Sequence, residues 1–461
     1  MGEEEKSAIS IQKKQVFDTV PEIELDKACS IESGIIVLSE EDRTRAISAF
    51  EKMEDVFSYF IPASGSGSRM FKCLHKFIET DEHSQESRQF FEELQKLALF
   101  QKMPKTTRGN LAKLDQVAVA RYLLHQDGLN LSETPKGLIP FHQIGETVMN
   151  PFQSHCLQAV QMFPSGVKIH FTVAEKAEVD ILLSIKGLSE RSVSKLSLSF
   201  SVQDPNSHAY CFDDNEELVV TEAGKLRRPA GHGALLQNLN SVDADVILIK
   251  NIDNIQHPSR AALSNDVSKY LVGTLKVFQE ELRKLKDDFS QSSLLEINRR
   301  FHWLSSEEVE SMDLIKFSEL IARPIRVCGM VKNEGEPGGG PFWVVDHDSI
   351  SKQIVEKVQI SSKPDQQSIM SASSHFNPVL IALAKSDLNG NRFNLEEFSN
   401  EDKYLNVKKT YKGNDIFFRE LPGLWNGGMY NCNTLFVQIP SDVFSPVKSV
   451  LDLLKPLHKE S

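Results

Sequence analysis

Residues 56–61, Val-Phe-Ser-Tyr-Phe-Ile, form an aromatic and β-branched run, the composition of a short buried strand. Met70, Phe71, Leu74, Phe77 and Ile78 then recur at helical spacing, with Ser68 placed to cap the helix they define. The two periods keep alternating. Residues 40–56, 151–163 and 175–188 read as helices, and 167–173 and 196–202 as strands, the latter half-buried and closed by a turn at 203–206. The apolar run 245–250 predicts a central parallel strand. Residues 324–331, 342–345, 351–360, 377–384 and 435–440 add further strands. Strands separated by helices predict an α/β fold, a Rossmann-like mixed and mainly parallel sheet with flanking helices.

Some stretches depart from that rhythm. Residues 80–130 carry stripes through Phe90, Phe91, Leu94, Leu97 and Ala98 and through Val117, Ala118, Tyr122 and Leu123, which predict a helical insertion packed on the core. Residues 257–322 predict a second helical insertion, with a charged, solvated face around 271–289. Residues 1–35 show little periodicity and read as a weakly structured leader before a single domain over 36–461. The Gly/Pro-rich residues 334–341 predict a surface loop, with a lid over substrate as the alternative.

Composition narrows the classes. A chain of 461 residues that is 40% hydrophobic and 25% charged can bury a large core. Its net charge of −12 argues against nucleic acid or an anionic membrane as partner, but not against a nucleotide held by a local cationic cluster and a divalent metal. No stretch reaches the length of a membrane span, and the acidic start lacks the apolar segment of a secretion signal. Six scattered cysteines suit reduced core thiols. Together these predict a cytoplasmic protein.

Chemistry concentrates after the first strand. Ser64, Gly65, Ser66 and Gly67 form a loop of small residues that lets a phosphate approach backbone N–H groups, and Arg69 adds a planar charged fork. Neither the Walker A pattern nor the dinucleotide fingerprint is present. Downstream, Lys136 sits between Pro135 and Gly137, where a plain turn with a solvated lysine is the alternative. Asn251 and Asp253 end the central strand at the carboxyl edge, where ligands of open α/β sheets bind, and Asp253 there could hold Mg²⁺ against phosphate oxygens or merely close a turn. His375 reads as a hydrogen-bonded structural histidine, with a contact to substrate as the alternative. Residues 421–434 offer small residues, amides and Trp425, which suit a sugar or equally a packed turn.

Taken in order, these segments resemble a known superfamily. Residues 62–70 followed by Pro135-Lys136 resemble the Gly-rich signature of the sugar nucleotidyltransferases. Gly231-His232-Gly233, Asn251-Ile252-Asp253-Asn254, Asn431-Cys432-Asn433-Thr434 and Pro446-Val447-Lys448 are similar to motifs of the UDP-sugar pyrophosphorylases. The overall match is to a bacterial family known only as a domain of unknown function. Two features depart from the pattern: a long helical block separates the loop from Pro135-Lys136, and Ser68 stands where threonine is usual.

The resemblance implies a nucleotide-diphospho-sugar transferase type of fold and Mg²⁺-dependent transfer of a nucleotidyl group, UTP favoured, to a sugar 1-phosphate. Ser64, Gly65, Ser66 and Gly67 would wrap phosphates, and Arg69 would hold the departing pyrophosphate. Lys136 and Lys448 would flank the α-phosphate. Asp253 would bind the metal, Gly231, His232, Gly233 and Asn251 the nucleotide, and Asn431, Asn433 and Thr434 the sugar. A glycosyltransferase of the same fold and a non-catalytic nucleotide-sugar binder are the alternatives.

Overall fold

The computed structural model describes residues 2–18, 21–109, 115–175, 177–335, 339–346 and 349–460. Its contacts divide the chain into two compact units, each built from three stretches. The first comprises Met1–Val56, Gln203–Leu248 and Tyr270–Ile439, and the second Phe57–Val202, Ile249–Lys269 and Pro440–Ser461. A single domain over 36–461 is the sequence expectation. Hydrophobic periodicity reports which face of an element is buried, not which of two cores it joins, so the partition is invisible to it. The fold class is mixed α/β with mostly parallel pairing.

In the second unit the strands Phe57–Pro62, Val167–Val173 and Leu196–Val202 pair in parallel in that order. Helix Pro151–Met162 begins at a reciprocal cap between Asn150 and Gln153, with proline at its first position. Its Phe152 meets Phe171 edge-on at 4.9 Å. Helix Lys72–Thr80 precedes the first predicted insertion, 80–130, which is helical, with helices Gln85–Glu93, Lys105–Gly109 and Gln116–Leu124; its residues 110–114 lie outside the described residues. Its stripes converge on one core. Phe71, Leu74, Phe90, Leu94 and Leu123 pack with Ile255, Val447, Val450 and Leu453.

The start of helix Lys72–Thr80 differs from the expected one. Residues Ser68–Phe71 form a 3₁₀ turn, the α-helix begins at Lys72, and no side-chain cap bond is made at either start. Met70 and Phe71 are both buried, and the tighter turn carries both into the core.

In the first unit Ile35–Ile36, Asn433–Gln438 and Ile325–Lys332 are parallel, and Leu380–Ala384 runs antiparallel to the last. Glu24–Ala28, Gly340–Asp346 and Ser349–Val355 form a separate antiparallel sheet. Residues 336–338 of the predicted loop lie outside the described residues. The strand expected over 351–360 ends at Val355 and gives way to a 3₁₀ turn at Lys357–Gln359.

The expected leader is structured. Glu3–Phe17 is a helix, Phe17 packs against Phe212 and Phe417 at 6.0 and 5.8 Å, and Gln12 Oε1 accepts the Tyr210 N–H at 2.9 Å. No residue of this helix is fully buried, so no clear apolar stripe marks it in the sequence. All six cysteines are free thiols, and five are buried. No described helix is long and apolar enough to cross a membrane.

Candidate functional site

The second unit links the Gly/Ser loop, Lys136, Asp253 and the turn carrying Lys448 through a series of bonds. The Phe57–Pro62 strand, buried through Ile61, carries the chain to its carboxyl edge, where the Ala63 N–H still reaches Thr172 O at 2.7 Å. Residues 64–66 then run exposed. There the chain meets its own later segment. Ser66 and Pro135 form an antiparallel bridge, the Lys136 N–H donates to Gly65 O at 3.0 Å, and the Gly67 N–H donates to Thr134 O at 3.1 Å. The helical insertion therefore leaves and returns at one backbone contact. Its length does not part Pro135-Lys136 from the loop.

The two loop glycines differ. A Cβ on Gly67 would collide with Ile139 Cδ1 and crowd Leu131 O, whereas one on Gly65 would meet open space. Gly67 is thus a close-approach residue whose amide is already spent, which corrects the expectation that it wraps a phosphate. Ser64, Gly65 and Ser66 are the exposed part. Arg69 is exposed on the 3₁₀ turn and has no ion pair among the described residues.

Lys136 Nζ lies 2.6 Å from Asp253 Oδ2, with both side chains about one-fifth exposed or less (16% and 21%). The loop that presents Asp253 is held from below and from the side. His155 donates its Nε2–H to Ile252 O at 3.1 Å. Burial, and then the nearby Lys250 charge, keep this imidazole well below its ordinary range. Lys250 is buried and bonds Gln158 Oε1; desolvation pushes its ammonium down to about 7. From the other side the Val447 N–H donates to Asp253 O at 3.1 Å, and Asn254 bridges Pro446.

Lys448 follows, exposed and without an ion pair among the described residues. Its amide and that of Ser449 donate to Asp452 Oδ2 at 2.8 and 2.7 Å. Burial opposes ionisation of Asp452, but Lys455 and these amides outweigh it and hold the carboxyl below its usual range. The helix implied after Pro446 is only a 3₁₀ turn, Val450–Leu454.

Among the described residues no group of three or more His, Cys, Asp or Glu could hold a metal. Asp253 offers one carboxylate, half engaged by Lys136. That donor set fits Mg²⁺ only where substrate phosphates complete the shell, which is how this ion is commonly held.

The other predicted residues belong to the first unit, apart from Asn251, whose carbonyl accepts the Asn254 N–H at 3.1 Å within the Asp253 loop. Gly231 has φ +74°, and a Cβ there would strike the Glu420 carboxylate; one on Gly233 would strike Pro422 O. The His232 ring stacks on Trp425 at 4.0 Å and accepts the Leu424 N–H at Nδ1, 2.9 Å, leaving Nε2 toward Glu356 at 3.3 Å.

Asn433 and Thr434 are spent on the fold. Asn433 accepts from Trp303 and donates to Leu320 O, while Thr434 Oγ1 accepts from the wholly buried Arg326. They begin a parallel strand, the end opposite the carboxyl edge where such sheets take ligands. Asn431 is exposed and borders a cavity of about 300 Å³ beside Lys352 and Glu308.

Sequence reasoning passed over His155, Lys250 and Ser445, which hold the site from inside, because a buried polar residue carries no periodic signature. It also passed over Asn377. That residue precedes the antiparallel strand, and its Nδ2 is buried without a partner among the described residues.

A family model described as "Domain of unknown function (DUF4301)" matches residues 2–459. No curated protein matches the chain. Three solved structures are similar to it. A protein proposed to be a UDP-N-acetylglucosamine pyrophosphorylase from Entamoeba histolytica has 14% identity and a TM-score of 0.46, over 89% of this chain and 80% of that one. A UDP-glucose phosphorylase from Trypanosoma brucei has 14% identity and a TM-score of 0.45, over 98% and 74%. A variant of UDP-glucose pyrophosphorylase from Leishmania major has 13% identity and a TM-score of 0.42, over 94% and 70%. Likenesses of this depth carry no argument about activity, which rests on the site itself.

Proposed function

The chain belongs to the DUF4301 family, and we propose that it transfers a nucleotidyl group from a nucleoside triphosphate, UTP by preference, to a sugar 1-phosphate and releases pyrophosphate. The observation that carries this reading is the bonded series within one unit. An exposed small-residue loop is tied to Lys136, Lys136 to Asp253, and Asp253 to the turn bearing Lys448.

Two lysines, an exposed arginine and one carboxylate are the groups that a triphosphate in-line displacement needs. Ser64, Gly65 and Ser66 would take phosphate oxygens on an exposed surface that is open at Gly65. Arg69, which has no ion pair to give up among the described residues, would hold the leaving pyrophosphate. Lys136 would exchange the Asp253 carboxylate for an α-phosphate oxygen, and Lys448 would approach the same phosphate. The freed Asp253 carboxylate would hold Mg²⁺, which when bound supplies compensation for phosphate charge. The sugar phosphate brings its own attacking oxygen, so no covalent nucleophile is required.

A coupled pyrophosphate-release assay over a panel of nucleoside triphosphates and sugar 1-phosphates tests the proposal. Asp253→Ala and Lys448→Ala should each lower turnover by about a hundredfold or more, with unchanged circular dichroism. Undiminished release by both variants would remove the proposal. Binding of UTP without release across the panel would favour a non-catalytic binder, for which the closed Lys136–Asp253 pair is the supporting observation.

A further inference from the structure

Five buried histidines lie in the second unit, at positions 142, 155, 170, 257 and 458, and the transfer proposed above uses none of them directly. Two form a directed chain. His458 Nε2 faces Ser445 O at 3.0 Å, and a carbonyl only accepts, so this nitrogen carries the proton. In the neutral ring Nδ1 is then an acceptor, and it faces His142 Nε2 at 3.2 Å, which must donate. His142 Nδ1 in turn accepts from Ser154 Oγ at 2.9 Å. Every proton is placed by the one before it. The rings are 0% and 2% exposed and stack with centroids 5.5 Å apart, so water does not substitute for a lost link.

The far end of this chain is the segment that grips the Asp253 loop. The Ser445 N–H donates to Asn254 Oδ1 at 2.9 Å, and Ser445 Oγ and Val443 O share Gln256 Nε2 at 2.9 and 2.8 Å. Two residues on, the Val447 N–H reaches Asp253 O, and Lys448 follows. The turn bearing His458 is fastened separately, by the His257 N–H to Leu457 O at 2.8 Å and by Arg260 Nε to Lys459 O at 3.0 Å.

We infer that His142 and His458 are positioning residues: the Ser154–His142–His458–Ser445 chain latches residues 445–448 onto the Asp253 loop and so fixes Lys448 relative to Asp253. Only the catalytic consequence rests on the proposed transfer; the latch does not. An additional proton on His458 would set its Nδ1–H against the His142 Nε2–H and break the chain, whereas one on His142 would only turn the Ser154 hydroxyl from donor to acceptor. The charged and titratable groups that face the pair are His155, His257, Lys455 and Lys459, which disfavour that proton, and Asp452, which favours it.

The test compares His458→Leu, which removes both bonds, with His458→Gln, whose amide can both accept and donate. Amide exchange at Ser445 and Val447 is followed by mass spectrometry and NMR. Exchange about tenfold faster in His458→Leu, with the Phe57–Pro62 strand still protected and His458→Gln close to wild type, is the expected result. Where turnover is measurable, kcat should fall with little change in KM. Wild-type protection in His458→Leu overturns the inference. So does equal loss of protection in both variants, which would make ring bulk rather than bond direction the cause. Should His458→Leu not fold, His142→Phe against His142→Gln gives the same comparison from the other ring. Exchange is read with or without turnover, so a wild-type protein that releases no pyrophosphate removes the proposed function, while the latch still stands or falls on the exchange rates.

Discussion

At Gly67 the missing Cβ is a packing requirement, and at Gly65 it leaves open space. Gly67→Ala forces Ile139 or the 131–134 backbone to move and should cost about 1–3 kcal/mol of stability. Gly65→Ala meets nothing within 4 Å and should leave the melting temperature almost unchanged, while weakening triphosphate binding if the loop wraps phosphate. Thermal melts with and without nucleotide separate the two effects. At this scale the sequence was a fair guide to charge and a poor one to commitment. Lys136 and Asp253 stand out in the sequence as candidate residues, yet nothing in their surroundings announces that they bond each other. Asn433 and Thr434 read as ligand contacts because their types suit a sugar, but both satisfy buried partners, Trp303 and Arg326 among them. Residue type alone does not say whether a polar atom already has a partner.

At the scale of elements, the helical insertion is part of the site's foundation. Phe90 is fully buried in the core that also holds Phe71, two residues after Arg69, and Val447, beside Lys448. Phe90→Ala should therefore destabilise by about 3–5 kcal/mol, and chemical denaturation should show the loss in the transition of the whole second unit. Were the insertion a satellite, only a minor early transition would move. The stripes through Phe90, Leu94 and Leu123 made its helices readable. That they share a core with the 447–453 turns was not readable, since periodicity carries no information on contacts hundreds of residues apart. The helix Glu3–Phe17 escaped for the opposite reason, being held by hydrogen bonds and one aromatic ring instead of a buried stripe.

For the molecule as a whole, the buried histidines set the acid limit of stability. Burial holds His142 and His155 well below the ordinary 6.5, and His170 and His458 at about 4. Because these values are depressed in the fold, the unfolded chain takes up protons first as the pH falls. Their contribution is fully present above 6.5 and is lost as the pH drops toward 4, at about 1.4 kcal/mol per histidine for each pH unit. Melting temperatures recorded from pH 7.5 to 4.5 should decline below 6.5 by more than carboxylate titration accounts for, and His170→Asn should flatten the decline. The α/β class was legible from alternating periods; the division into two units was not.

The pairing of Lys136 with Asp253 spans 117 positions of sequence. Ring closures of that size are entropically costly and come late, after local helices and hairpins have gathered. A chain recovering from denaturant would thus regain its helical signal well before the Lys136–Asp253 pair closes, and for that interval it would be native in outline without the pair on which the proposed transfer depends.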